Sequence, residues 1–163
     1  MSANGTQVAE AVKDTIYRSC LLLDEKNWGD FFELCDQSFN YSIKAFSPEI
    51  SYDMTYMSGS RKELKSMMEM LPKHNTDHSA LKRHATVYTV DVDGKDATAV
   101  TSLVVYQNMV DGINSHIDSG ESHLFLIGRY IDKFKIEDGN ARLVEREVRL
   151  DTRRLDKGTH YLI

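Results

Sequence analysis

The stretch RHATVYTVDVDGKDATAVTSLVVYQNMV, Arg83 to Val110, decides the fold class. Tyr88, Val90 and Val92 alternate with polar residues, which is the two-residue period of a strand. Asp93-Gly94 supplies a tight turn, and the run from Ala97 to Val110 returns as a second, longer strand. Two further turn signals, Asp111-Gly112 and Asp138-Gly139, bound strands at about 119–136 and 141–151. Four antiparallel strands in a meander is the simplest topology for this half of the chain.

Upstream the period changes. From Gln7 to about Glu25, Val8, Val12, Ile16, Cys20 and Leu23 recur at spacings of three and four, the apolar stripe of an amphipathic helix. Asn27 is a candidate N-cap for a shorter helix through Leu34, with Trp28, Phe31 and Phe32 on or near one face. Phe39 to Phe46 reads as a short strand ended by Ser47-Pro48-Glu49, because proline donates no ladder bond. Ser51 to Met57 has no clean period and reads as either strand or loop. Ser60 and Glu63 form a capping box that starts a third helix, through Leu64, Met67, Met68 and Leu71 to a stop at Pro72. The fold class is therefore α+β, with three N-terminal helices and an antiparallel sheet, in a single domain over residues 1–163.

Composition narrows the function. The chain has 163 residues, 41% hydrophobic and 28% charged with two prolines, an ordered composition able to bury roughly 70% of its unfolded surface. The longest apolar runs, Leu21 to Leu23 and Leu124 to Ile127, fall far short of the roughly 20 residues of a spanning helix, and the first residues lack the pattern of a secretory signal. No membrane association and a cytoplasmic address are expected. A formal charge of −5 argues against nucleic acid as a partner. Cys20 and Cys35 form no Cys-x-x-Cys pair and are expected as buried, reduced thiols.

The central strands are apolar on both faces. Val100, Val104, Tyr106 and Val110 alternate with Leu103, Val105 and Met109, and Leu124, Leu126, Tyr130 and Phe134 with Phe125, Ile127 and Ile131. A sheet with one solvated face would alternate cleanly, and three short helices cover one face only. The other face is expected to meet another chain, which makes the protein an oligomer.

Candidate chemistry is sparse. His74 and His78 at i, i+4, with Asp77, have the residue types of a two-His-one-carboxylate metal site, but the segment after Pro72 has loop composition and reads as polar surface. His84 shares a strand face with Thr86 and Tyr88, and that face is expected to point to the core or a pocket. Asp24, four residues before Trp28, is either a helix-end residue or a carboxylate whose pKa burial could raise for general-base work. Arg146 interrupts the row Arg142, Val144, Val148 and Leu150, and pairing with a carboxylate, inside the chain or on a partner, is favoured over anion binding. Met67, Met68 and Met70 read as core or interface filler, and the ending Tyr-Leu-Ile163 as a segment that is buried somewhere. No P-loop, dinucleotide-binding, nucleophile-elbow or zincin motif is present.

Several segments together resemble a known family. Leu23-Asp24-x-x-x-Trp28-x-x-Phe31-Phe32-Glu-x-Cys35 is similar to the opening of the cone-shaped, curved-sheet domains related to ketosteroid isomerase and scytalone dehydratase, a cystatin-like α+β cone. Within that group Arg83-His84, Gly128-Arg129-Tyr130-Ile-Asp132-Lys-Phe134 and Leu143-Val-Glu-Arg146-x-Val-x-Leu150-Asp151 resemble the small (beta) subunits of Rieske-type ring-hydroxylating oxygenases. Phe46 to Arg61 and Thr152 to Ile163 are similar to the small subunits of methanesulfonate monooxygenases. The resemblance implies a homotrimer docked on an iron-containing large (alpha) subunit that carries the Rieske [2Fe–2S] centre and a mononuclear Fe(II), with no catalytic, cofactor-binding or metal-binding residue in this chain. The sequence agrees in one respect, since neither cysteine lies in the Cys-x-His or Cys-x-x-His setting of a Rieske centre. A second reading is a stand-alone lyase or isomerase, with Asp24 as base and His84 as its acid-base partner, aided by Tyr130 or Tyr106 in an internal pocket. A third is a cone that binds a ligand without chemistry.

Overall fold

The computed structural model describes residues 3–74, 79–110, 117, 119–153, 155 and 161–163. Among these, three helices and six strands follow in the order α1 (Ala3–Asp24), α2 (Trp28–Leu34), β1 (Cys35–Ser47), β2 (Tyr52–Ser60), α3 (Arg61–His74), β3 (Ala80–Asp93), β4 (Asp96–Asn108), β5 (Ser122–Glu137) and β6 (Asn140–Leu150). The strands form one sheet in the order β2-β1-β6-β5-β4-β3. The expected four-strand meander is present as β3 to β6, but it is only part of the sheet. β1 joins it in parallel with β6, and β2 pairs antiparallel with β1 as the edge strand. The undecided segment at Ser51 to Met57 is therefore mostly strand.

Each helix forms for a reason legible in its residues. Val12, Ile16, Cys20 and Leu23 of α1 are buried, and the helix lies across the inner face of β3 and β6. Asn27 caps α2, its side chain accepting from the Asp30 N–H at 3.2 Å, and Phe31 and Phe32 anchor the helix in the core. In the capping box of α3, Glu63 accepts from both the N–H and the hydroxyl of Ser60 at 2.8 Å, while Leu64, Met68 and Leu71 turn inward. Pro72 does not stop this helix, which runs to His74; the missing N–H falls in the final turn, so the disruption stays local.

The inner face of the sheet and the inward sides of the helices share one core, with Phe39, Tyr41 and Ile43 of β1, Leu103 and Val105 of β4, Leu126, Tyr130 and Phe134 of β5, and Leu143 and Val148 of β6. Bulges set which residues reach it, among them one at Phe125 of β5, which turns Leu124 outward while Leu126 stays inside. Tyr88 is the extra residue between Val87 and Thr89 in β3, and Val144 is the extra residue of β6 where Phe134 pairs with Leu143 but Lys133 with Glu145. Asp138 and Gly139 both have positive φ, +50° and +79°, the two-residue turn that matches hairpin twist. Gly128 has a different role: a Cβ there would stand 2.3 Å from the Arg149 carbonyl oxygen, so only glycine permits this approach of β5 to β6.

Candidate functional site: the polar interior and the outer face of the sheet

Two ion pairs occupy the inner face. Asp132 and Arg146 are cross-strand neighbours on β5 and β6, both fully buried. Arg146 Nε donates to Asp132 Oδ1 at 2.9 Å, Nη2 to Oδ2 at 2.7 Å, and Nη1 to the Ser19 hydroxyl at 3.0 Å. The guanidinium also lies 3.9 Å from the centre of the Tyr130 ring, a cation–π contact in a dry environment. Burial disfavours charge on Arg146, but the Asp132 carboxylate outweighs it and holds the guanidinium pKa above its usual value. Burial pushes the Asp132 carboxyl up, and Arg146 pulls against that push. Arg146 is thus paired within the chain, one of the alternatives its position allowed. Arg142 and Val144 do not share its row: the bulge at Val144 puts Ala141 and Leu143 inside with Arg146, Val148 and Leu150, while Arg142 is exposed.

The second pair involves Asp24. Its carboxylate accepts from the main-chain N–H of Arg83 at 3.1 Å and from Arg83 Nη1 at 2.7 Å, while Arg83 Nη2 donates to the Leu162 carbonyl at 2.7 Å. Asp24 therefore closes the end of α1 onto β3. Of the two expectations for the face of His84, the core is corrected and the pocket remains: Leu81 and Arg83 point inward, while His84, Thr86 and Tyr88 are exposed. The bulge at Tyr88 is the reason, because it switches the parity of the strand between Val87 and Val90. His84 stands edge-on to Tyr106, centroids 5.6 Å apart, on the outer face. Asp24 and His84 still border one open cleft of about 630 Å³ between α1 and β3. Tyr130, proposed as their helper, lies fully buried under Arg146.

His74 ends α3 and borders a groove with Met67, Met70 and Leu71; Asp77 and His78 lie outside the described residues. Among the described residues no three His, Cys, Asp or Glu side chains come together as a metal site. Cys20 and Cys35 are both buried free thiols, and burial pushes the Cys35 thiol up to about 12. Among the described residues no helix is long and apolar enough to cross a membrane.

The outer face divides into two halves. Across β3 to β5, Val100 lies opposite Ile131, Val104 opposite Ile127 and Tyr106 opposite Leu124, with Tyr88, Leu124 and Ile127 exposed by 68, 50 and 38%. Across β6, β1 and β2 the face is charged: Glu147 takes hydrogen bonds from Lys44 and Arg149, and Arg149 forks onto Asp53 at 3.0 Å for both bonds. The two-faced character expected of the central strands is thus an inner core row and an outer apolar row, half-buried at Val100, Val104 and Ile131 and exposed at Tyr106, Leu124 and Ile127. Sequence reading overlooked Arg83 and Asp132 as charged members of the inner row. Counting outward from the Asp138-Gly139 turn sets Asp132 opposite Glu145, and only the Val144 bulge brings it opposite Arg146.

Comparison with known proteins agrees with this architecture. Residues 6–147 match the SnoaL-like domain family. The chain is 55% identical over 163 residues to the methanesulfonate monooxygenase hydroxylase subunit beta of Methylosulfonomonas methylovora, covering 99% of this chain and 90% of that protein. It is 29% identical over 154 residues to the 2-aminobenzenesulfonate 2,3-dioxygenase subunit beta of an Alcaligenes species, covering 92% and 95%. The fold is shared with a solved chain from Novosphingobium aromaticivorans assigned as the beta subunit of an aromatic-ring-hydroxylating dioxygenase, at a TM-score of 0.74 and 23% identity over 90% of each chain. The chain belongs to the SnoaL-like domain family and, within it, to the hydroxylase beta subunits represented by the Methylosulfonomonas methylovora protein.

Proposed function

We propose that the chain is the small (beta) subunit of a Rieske-type oxygenase hydroxylase component in the cytoplasm, acting on a small sulfonate such as methanesulfonate. It has an assembly role and supplies no catalytic residue. The Rieske [2Fe–2S] centre and mononuclear Fe(II) belong to the large (alpha) subunit, which uses O2 and electrons from NADH. The observation that carries this reading is the 55% identity along the whole chain to a named hydroxylase beta subunit. The interior supports it, because both inner arginines are already paired with carboxylates of the same chain.

Three copies associate through the apolar outer row of β3 to β5. Leaving Tyr88, Leu124 and Ile127 in water is costly at roughly 25 cal/mol per Å² of apolar surface, and association removes that cost. Native mass spectrometry of the chain tests this step. A species of three 18.6 kDa chains is expected, reduced to monomer by Ile127→Lys without loss of secondary structure. A wild-type monomer would overturn the trimer. The stand-alone lyase or isomerase reading requires Asp24 and His84 to act on a small molecule in their cleft; Asp24 is already paired with Arg83, so the assembly reading is preferred.

A further inference from the structure

The mouth of the inner face holds a segment of the chain itself. Leu162 and Ile163 are both fully buried, a degree of burial otherwise found in the core strands and helices. Their hold is polar as well as apolar. Arg83 Nη2 donates to the Leu162 carbonyl at 2.7 Å, and the Ile163 N–H donates to the Tyr41 hydroxyl at 2.9 Å, a hydrogen bond itself buried. Tyr161 stacks on Trp28 with ring centroids 6.0 Å apart and planes at 24°, and Lys26 Nζ lies 5.2 Å from the Tyr161 centroid. Side chains from three places in the fold thus converge on three residues, Trp28 at the start of α2, Tyr41 of β1 and Arg83 of β3, with Asp24 of α1 holding Arg83 from behind.

This is how a ligand is held: an apolar body in a pocket, oriented by a few polar groups at fixed positions. We propose that the inner mouth of the cone is a ligand cavity whose resident ligand is the chain's own Tyr161–Ile163 segment. When the segment leaves, the cavity is open to a small amphipathic molecule with a branched apolar body and one acceptor oxygen for Arg83, such as an acylated short peptide. Two residues of this size, main chain included, vacate on the order of 300 Å³, the lower end for a small-molecule site. Arg83 keeps Asp24 in either state, so the site carries little net charge and selects an acceptor oxygen rather than a free anion. The cavity is independent of whether the chain assembles with a large subunit.

Trp28 is the single tryptophan of the chain and stands against Tyr161, so it reports the segment directly. A variant lacking residues 161–163 is expected to keep its far-UV circular dichroism, to shift Trp28 emission to the red and to melt at a lower temperature. Acetyl-Tyr-Leu-Ile added to it is expected to bind saturably and reverse both changes, while the full chain binds none. A folded deletion variant that shows no saturable binding of the peptide overturns the proposal. Should the deletion variant not fold, Tyr41→Phe in the full chain decides, since it removes only the acceptor of the Ile163 N–H. Exchange of that amide about tenfold faster than in the wild type supports the anchored segment, on the scale of one hydrogen bond, and unchanged exchange overturns it.

Discussion

Arg146→Met removes a guanidinium while keeping a side chain of similar reach. It deletes the two bonds to Asp132 at 2.9 and 2.7 Å, the bond to Ser19 at 3.0 Å and the contact with the Tyr130 ring, all at a position with no solvent exposure. Breaking a buried ion pair from one side costs about 3–5 kcal/mol, because the remaining charge has neither water nor partner. In a chain of this length that corresponds to a melting temperature lower by about 10 °C. The Asp132 carboxyl answers by keeping its proton. Burial already pushes its pKa up against the pull of Arg146, and without Arg146 only the push remains. A carboxyl whose folded pKa is raised contributes stability below its unfolded value, about 4, and loses it as pH rises through the folded value. Relative to the wild type, the variant is therefore expected to weaken from pH 5 to 7.5, by up to about 1.4 kcal/mol per unit. Urea unfolding followed by far-UV circular dichroism, at one protein concentration, reads both the cost and its pH slope. Asp132→Asn with Arg146→Met removes the titrating group, so its stability relative to wild type is expected to vary less with pH. A loss under about 1 kcal/mol at pH 7.5 for the single variant, or a difference from wild type that does not change with pH, would refute the reasoning.

Asp24→Asn and His84→Ala separate the two carriers of the alternative chemistry by stability alone. The first weakens the anchor of α1 on Arg83 and is expected to destabilise by about 1–3 kcal/mol, while the second trims an exposed ring and stays within about 0.5 kcal/mol in thermal melts. In the reconstituted hydroxylase His84→Ala leaves turnover unchanged; loss of turnover with the complex intact would return His84 to the chemistry. Gly128→Ala forces β5 away from Arg149 and is expected to cost at least about 1–3 kcal/mol, measured by urea unfolding; a neutral effect would mean the strands separate easily there. Cys20 and Cys35 are expected to resist a thiol reagent at pH 8 in the native protein and to react promptly in denaturant, because burial raises both thiol pKa values; rapid native labelling would contradict their burial.

What the sequence disclosed followed what is local. The stripe on α1, the Asn27 cap, the capping box at Ser60 and Glu63, and the hairpin at Asp138-Gly139 each rest on residues a few positions apart, and each stands in the structure. The parallel pairing of β1 with β6 joins residues about a hundred positions apart, and periodicity carries no information on partners. β2 reads as either strand or loop in the sequence because an edge strand is half exposed on both sides and loses its alternation. The bulges at Tyr88 and Val144 did the most damage to the site reading. Each inserts one residue, and one residue reverses which face a side chain meets. Counted without the bulges, His84 falls on the face of Val90 and Val92, and Arg142 falls in the row of Arg146. The outer apolar row on β4 and β5, by contrast, is legible as a two-sided strand pattern, because Val100 with Ile131 and Val104 with Ile127 pair across the strands on the face opposite the core row.

The most direct test of the account is co-expression with a candidate large subunit of a hydroxylase, followed by native mass and iron analysis of what purifies together. The account predicts a colourless small subunit when it is expressed alone, and an equimolar, coloured complex on co-expression, with all of the iron assigned to the large chain. A small subunit that stays monomeric and captures no large chain, or that itself retains iron in stoichiometric amount, would contradict it.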